Sequence, residues 1–250
     1  MTHHDLAREL TIARRERSAI PRISSRQTLT ETDAYAVQRI VVQHLLLEDE
    51  HQLLGIKLGF TNPEKARAAG VERPIAAVLT DRMATGHLGE LDTGRLIHPR
   101  IEPEVAIRYD AARPGSALVA PAMEVVDSRY LAYDFTAADV IADNASAAHV
   151  VIGDDWTEID LSAPGHDIDD APVELDVDGV VATAGRTSAI LGAPLRALDL
   201  ALELAREHDL PFEEQLIVMA GAASPAVPLE PGRTYTTTVA GLGSVSVTTS

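Results

Sequence analysis

Ile97-His98-Pro99-Arg100-Ile101-Glu102-Pro103-Glu104-Val105-Ala106-Ile107 reads as one extended strand. Successive side chains of a strand point to opposite faces, so Glu102 and Glu104 share one face while Ile101, Val105 and Ile107 hold the other to a core. Two carboxylates on a half-buried strand repel one another and lose hydration. Such a pair persists only if it is protonated, matched to cations or neutralised by a metal. All-oxygen ligation points to a hard ion, Mg²⁺ or Mn²⁺, and Glu124, set in the apolar run Pro121 to Val126, is the natural further ligand. The plainer alternative is a solvated edge strand whose glutamates face water, and Pro103 suits an edge or a bulge.

Lys57 stands between Gly55 and Gly59 in the strand expected over His51 to Thr61. A lysine among apolar neighbours is ordinarily an exposed edge charge; the functional alternative is a cation at the mouth of a pocket. Ala76 to Thr80 is an apolar strand that delivers Asp81, which suits a turn cap, and Gly86 to Gly94 is a turn-rich link. Ala137 to Ala148 is expected as a helix or helical turn containing Asp143, Asn144 and Ser146, residues favoured where helices end. His98, before a proline, is expected to be packed or hydrogen-bonded.

Helices are expected over Thr2 to Arg17 and, behind the Thr30-Glu31-Thr32-Asp33 cap, to about Asp49. Asn62-Pro63-Glu64 opens a short helix that Gly70 stops. Ser188 to His208 has the strongest apolar face, Glu174 to Val181 is a hairpin with Asp178-Gly179 at its turn, and Arg233 to Ser250 is a closing strand pair. The 250 residues fit one domain, with a helical part over 1–50 and a mixed α/β body with the metal site over 51–250.

The formal charge of −17 argues against a nucleic-acid backbone as partner. Cysteine is absent, which removes disulfides, thiolate metal sites and cysteine nucleophiles and suits a reducing cytoplasm. No run has the length needed to span a membrane, and no signal-peptide layout opens the chain. Phosphate-loop, Gly-x-Ser-x-Gly and His-Glu-x-x-His motifs are also missing.

Five segments, Gly55 to Thr61, Leu79 to Met83, Ile97 to Glu104, Pro121 to Arg129 and Ala142 to Ser146, together with the closing Gly241-Leu242-Gly243-Ser244-Val245-Ser246-Val247, resemble in order the hydratase/decarboxylase branch of the fumarylacetoacetate hydrolase superfamily. That branch includes 2-keto-4-pentenoate hydratases and 2-oxo-3-hexenedioate (4-oxalocrotonate) decarboxylases. The resemblance implies an α/β mixed β-roll with covering helices, a homo-oligomer that can join a pathway partner enzyme, and a lyase of aromatic catabolism acting on a small unsaturated 2-oxo acid. It implies Mg²⁺, with Mn²⁺ as substitute, on Glu102, Glu104 and Glu124. Lys57, Asp81 and Ser146 take catalytic roles, Arg100 and Arg129 bind substrate, and a metal-stabilised dienolate carries the decarboxylation.

The segments Leu96 to Glu104 and Asp139 to Asn144 look nearer the decarboxylases. The alternatives are the hydratase activity and a non-catalytic partner subunit; C–C hydrolysis would want a His/Glu water-activating pair, and none is evident. Relatives carry a longer insertion where this chain has only a short loop around Arg113-Pro114-Gly115.

Overall fold

Two threonines start the first two helices by the same device. Thr2 accepts the Asp5 N–H and Asp5 reaches back to Thr2, opening α1 (His3–Glu16); Thr30 and Asp33 repeat this at α2 (Glu31–Gln43). The helix then widens into a π-helical turn, His44–Glu48. The computed structural model describes residues 1–68 and 71–250, so the expected stop at Gly70 lies outside the described residues.

The strands that follow are β1 (Leu53–Gly59), β2 (Ile75–Thr80), β3 (Ala84–Gly86), β4 (Gly89–Leu91), β5 (Arg100–Asp110), β6 (Ser116–Val126), β7 (Ala147–Ile152), β8 (Thr157–Asp160), β9 (Pro172–Val177), β10 (Val180–Arg186), β11 (Gln215–Met219), β12 (Val227–Pro228), β13 (Thr234–Val239) and β14 (Gly243–Thr249). Between them lie α3 (Pro63–Ala68), α4 (Ala137–Ala142) and α5 (Arg196–Glu207). The larger sheet runs β2-β1-β11-β5-β6-β7-β3, with β12 added to β5 and β8 to β6; the smaller runs β10-β9-β13-β14-β4. The mixed curled sheets with few covering helices match the expected α/β β-roll.

The larger core lies against one face of the first sheet, where Ile56, Val218 and Ile107 meet Ala197, Ala201 and Leu204 of α5 and Tyr35 and Val37 of α2 belong to the same cluster. A second core joins the sheets through Ile101, Met123 and Val125 from one and Leu175, Tyr235 and Val247 from the other. The Asp178-Gly179 turn has φ of 53° and 81°, the left-handed pair that a tight hairpin requires.

Several expectations shift at their boundaries for local reasons. The helix foreseen from Ser188 begins only at Arg196, because Leu191 and Gly192 take φ of 55° and 82° and Pro194 follows. The Ala137 to Ala148 helix stops at Ala142 and gives way to a left-handed turn and then β7. The turn-rich link contains β3 and β4, each paired parallel to a distant strand.

Strand β5 is not an edge: β6 flanks it on one side and β11 and β12 on the other. Pro103 is tolerated because β11 pairs only Ala106 to Asp110 and β12 only Arg100 and Ile101, which leaves a breach between them. The Pro103 carbonyl turns into that breach and accepts the Ala223 N–H at 2.9 Å. The missing proline donor faces the same way, so no ladder bond to β6 is lost.

The outer margin of β2 is closed by side chains. Gln38 Nε2 donates to the Ala76 carbonyl at 2.9 Å and Tyr35 Oη accepts the Ala76 N–H at 3.3 Å. Asn144 meets Val78 as another strand would, accepting its N–H at 3.0 Å and donating to its carbonyl at 2.9 Å. Among the described residues no helix is long and apolar enough to cross a membrane. Asn144→Ala strands both buried groups of Val78 and is expected to cost about 1–3 kcal/mol, read as a lower urea midpoint.

Candidate metal centre and cavity

Register makes the centre. Glu102 stands directly opposite Glu124 across the β5–β6 ladder, and Glu104 shares their face two residues on. Like charges in that relation are destabilising. One carboxylate oxygen from each comes within 4.8 Å of the others, and Glu104 and Glu124 are 0% and 1% exposed.

Burial, followed by the negative charges of Glu124 and Glu102, raises the Glu104 carboxyl well above the ordinary range. Burial also raises Glu124, and the Lys57 ammonium offsets part of that rise. Lys57 is itself 3% exposed, held between β2 and β11, and its Nζ lies 3.1 Å from each Glu124 oxygen and donates to Oε2. It is therefore a buried counter-ion and not an exposed edge charge.

Glu104 Oε2 accepts the Gly221 N–H at 2.9 Å. Gly221 has φ of +112°, and a Cβ there would meet Thr61 Oγ1 at 2.1 Å, so only glycine brings this N–H to the carboxylate. The buried Glu104 Oε1 has no hydrogen-bond partner, and Glu124 Oε1 has none besides the Lys57 ammonium 3.1 Å away. Converging carboxylate oxygens from three glutamates, one of them without any partner and one facing only an ammonium, with no nitrogen or sulfur donor among them, form a donor set that fits a hard divalent cation.

Glu102 lines a cavity of ≈ 340 Å³, and Glu104 and Glu124, which do not line it, cluster with Glu102. Its walls are mainly apolar: Leu58, Phe60, Ile75, Val126, Tyr133, Phe135 and Val140. Lys57, Arg100, Glu102 and Ser146, all singled out by sequence, line it with them. Arg100 gives one N–H to the Ala226 carbonyl at 2.8 Å. Tyr133 is fixed by its hydroxyl, which donates to the His98 and Val126 carbonyls, and its ring packs against His98 at 5.1 Å.

Two expected site residues are elsewhere. Asp81 is exposed, and its Oδ1 accepts the Gln52 and Arg82 N–H groups at 2.8 Å each, which holds its carboxyl below the ordinary range. Arg129 is buried behind the cavity wall, bonded to Asp143 and to the carbonyls of Asp127 and Ala147. Neither is among the residues that line the cavity. The aromatic wall of Phe60, Tyr133 and Phe135 and the Gly221 donor escaped sequence reasoning, since isolated aromatics and a glycine in a small-residue loop carry no local signal of a shared pocket.

The wall segment Asn144-Ala145-Ser146 has three successive φ values of 48°, 47° and 57°. Left-handed L-residues cost about 1–2 kcal/mol each and normally occur singly. This turn is therefore held from outside itself. Asp127 contributes through its N–H, which donates to the Ser146 carbonyl at 2.8 Å, while its carboxylate accepts the Ile97 and His98 amides just before β5.

A curled α/β sheet with an all-carboxylate centre beneath an apolar cavity defines a metal-binding enzyme of small molecules. No family model matches the chain. It is 34% identical to a 4-oxalocrotonate decarboxylase of a Pseudomonas species, over 98% of this chain and 96% of that one. It is 31% identical to a 2-keto-4-pentenoate hydratase of Paraburkholderia phymatum, over 89% and 91% of the two chains.

Among solved structures, a 4-oxalocrotonate decarboxylase from Pseudomonas putida G7, complexed with magnesium and adipate, superposes with a TM-score of 0.84 at 29% identity, covering 98% of this chain and 96% of the other. The fold alone extends further, to a fumarylpyruvate hydrolase from Pseudomonas aeruginosa at a TM-score of 0.52 and 14% identity, covering 79% and 89%. The chain belongs to the family of 4-oxalocrotonate decarboxylases and 2-keto-4-pentenoate hydratases, which are lyases.

Gly221→Ala should turn the N–H away from Glu104 and weaken Mg²⁺ binding about 10–100-fold, measured by metal titration of the purified protein. The pH dependence follows from the raised carboxyls. Without metal the folded state holds these protons more tightly than the unfolded chain, so their contribution to stability is present at low pH and is lost as pH rises through the folded values. A bound cation competes with the same protons. The Mg²⁺-induced increase in Tm over EDTA should therefore grow as pH rises above the ordinary carboxylate range in thermal scans.

Proposed function

We propose that the protein decarboxylates 2-oxo-3-hexenedioate (4-oxalocrotonate) to 2-hydroxypenta-2,4-dienoate with Mg²⁺ on Glu102, Glu104 and Glu124, Mn²⁺ being the natural substitute. The observation that carries this is the three-carboxylate cluster, with the buried Glu104 Oε1 unpartnered, reaching through Glu102 a cavity whose walls are mainly apolar. The choice of substrate is supported by the 34% identity to a 4-oxalocrotonate decarboxylase and by the superposition on one that holds adipate, a six-carbon dicarboxylate.

In the reaction the C5–C6 bond breaks and CO₂ leaves. Its electron pair forms the C4=C5 bond, the C3=C4 pair moves to C2=C3, and the C2 keto oxygen takes the charge and then a proton. The ion, when bound, polarises the 2-oxo acid and steadies that charge. Lys57 eases the ionisation of Glu124 and offsets part of the cluster's negative charge. Arg100, on the same strand face as Glu102, offers a guanidinium to the carboxylate beside the keto group. Phe60, Tyr133 and Phe135 leave a distal carboxylate poorly hydrated, which favours its departure as neutral CO₂. The Ser146 hydroxyl orients the substrate, and Asp81 takes no part in this scheme.

Residues 1–250 work here as one catalytic domain, since α2 and the strands share the larger core. A cytoplasmic homo-oligomer, joined or not by a pathway partner, goes with the same family pattern. Hydration of 2-hydroxypenta-2,4-dienoate is the second reading, supported by the 31% identity to a hydratase.

The test offers 2-oxo-3-hexenedioate and 2-hydroxypenta-2,4-dienoate separately, each with Mg²⁺ and with EDTA, following CO₂ and ultraviolet absorbance. Metal-dependent CO₂ release from the first alone is the expected result. Loss of dienoate absorbance without CO₂ makes the protein a hydratase, and inactivity on both overturns the proposal. Glu102→Gln should abolish turnover with an unchanged circular dichroism spectrum; retained turnover would remove Glu102 from the metal set.

A further inference from the structure

We infer that Arg129 is a positioning residue, whose guanidinium grips both ends of the left-handed turn Asn144–Ser146 and thereby sets Ser146 in the cavity wall. Arg129 Nε donates to the Asp143 carboxylate, and Nη2 donates to the Asp143 carbonyl, immediately before the turn. Nη1 donates to the Ala147 carbonyl at 3.2 Å, immediately after it, and to Asp127 at 2.7 Å. The Arg129 backbone N–H adds a bond to the other Asp143 oxygen at 3.1 Å.

One planar cation thus fixes the distance between residues 143 and 147. Within that span the chain has to pass through three left-handed residues, a path that no glycine eases. Ala145 and Ser146 line the cavity, whereas Arg129 and Asp143 do not. The Ser146 hydroxyl also donates to Asp143 Oδ2 at 3.4 Å, so the ion pair acts on substrate by way of Ser146, through the turn and through this bond.

Lysine is the informative replacement. It keeps the charge beside Asp143 but, as a single ammonium, cannot span two carbonyls and a carboxylate in the fork geometry of a guanidinium. Asp143→Glu is the reciprocal change, keeping both charges and moving the carboxylate by one methylene.

The inference rests on the reading of Ser146 as a substrate-orienting group, so Ser146→Ala is measured alone first; unchanged turnover there defeats that reading and not the clamp. Arg129→Lys and Asp143→Glu are each expected to lower kcat/KM per folded molecule about 10-fold, by analogy with other supporting residues of a site. Each should leave Mg²⁺ affinity within twofold of the parent, which is about the resolution of additivity. In a Ser146→Ala background each should add less than about twofold, since both changes then act on one contact.

A crystal structure of either variant should show residues 144–146 displaced, a readout that stands even if neither substrate is turned over. Additive losses, unchanged kcat/KM, a parallel loss of Mg²⁺ affinity, an undisplaced turn, or failure of both charge-conserving variants to fold would each overturn the assignment.

Discussion

Mutual repulsion among Glu102, Glu104 and Glu124 is the constraint to which the surrounding structure answers. The β5–β6 ladder forces two of them face to face, and the interior removes the water that would screen them. One cation and one backbone amide supply the compensation on the protein side, Lys57 at Glu124 and Gly221 at Glu104. Both are held rigidly, the lysine in a strand between two others and the amide in a loop conformation open to glycine alone. A cluster of mutually repelling carboxylates is a poor device for stability but a prepared one for a ligand that brings positive charge.

The neighbouring backbone is irregular where the site needs it. A regular ladder along β5 would place another strand's amides against residues 102 to 105. The breach between β11 and β12 admits the Ala220–Ala226 segment instead, and Pro103 fits there because its absent N–H points into the gap. On the opposite margin of the sheet, Asn144 completes the edge of β2 and at the same time begins the strained turn that carries Ser146. Sheet closure and cavity wall are therefore built from the same residue.

Much of this was legible in the sequence wherever the information is periodic or capped. Alternation in Ile101 to Ile107 placed both glutamates on one face, Thr30 with Asp33 marked a helix start, and Asp178-Gly179 marked a hairpin. Features set by distant partners were not legible. Nothing local distinguishes a buried Lys57 from an edge lysine, because burial depends on β2 and β11 arriving on either side. Arg129 and Asp81 share motifs with site residues yet face a buried carboxylate and a solvent-exposed turn, since proximity in sequence along a bending chain does not decide which side of a wall a side chain takes. The left-handed run at Asn144 looked like an ordinary helix end, for no glycine announces it.

The Ala220–Ala226 segment has one further consequence. Its Gly221 amide holds a carboxylate of the metal centre, while its Ala222 and Ala226 face the cavity. The carboxylate cluster and the cavity wall thus share a single stretch of backbone. A molecule that shifts this stretch on entering the cavity alters the grip on Glu104 without touching it, and linkage requires the cation to change that molecule's affinity by the same factor. Order of addition then has no bearing on the final occupancy, and saturation of either site is a thermodynamic effector of the other.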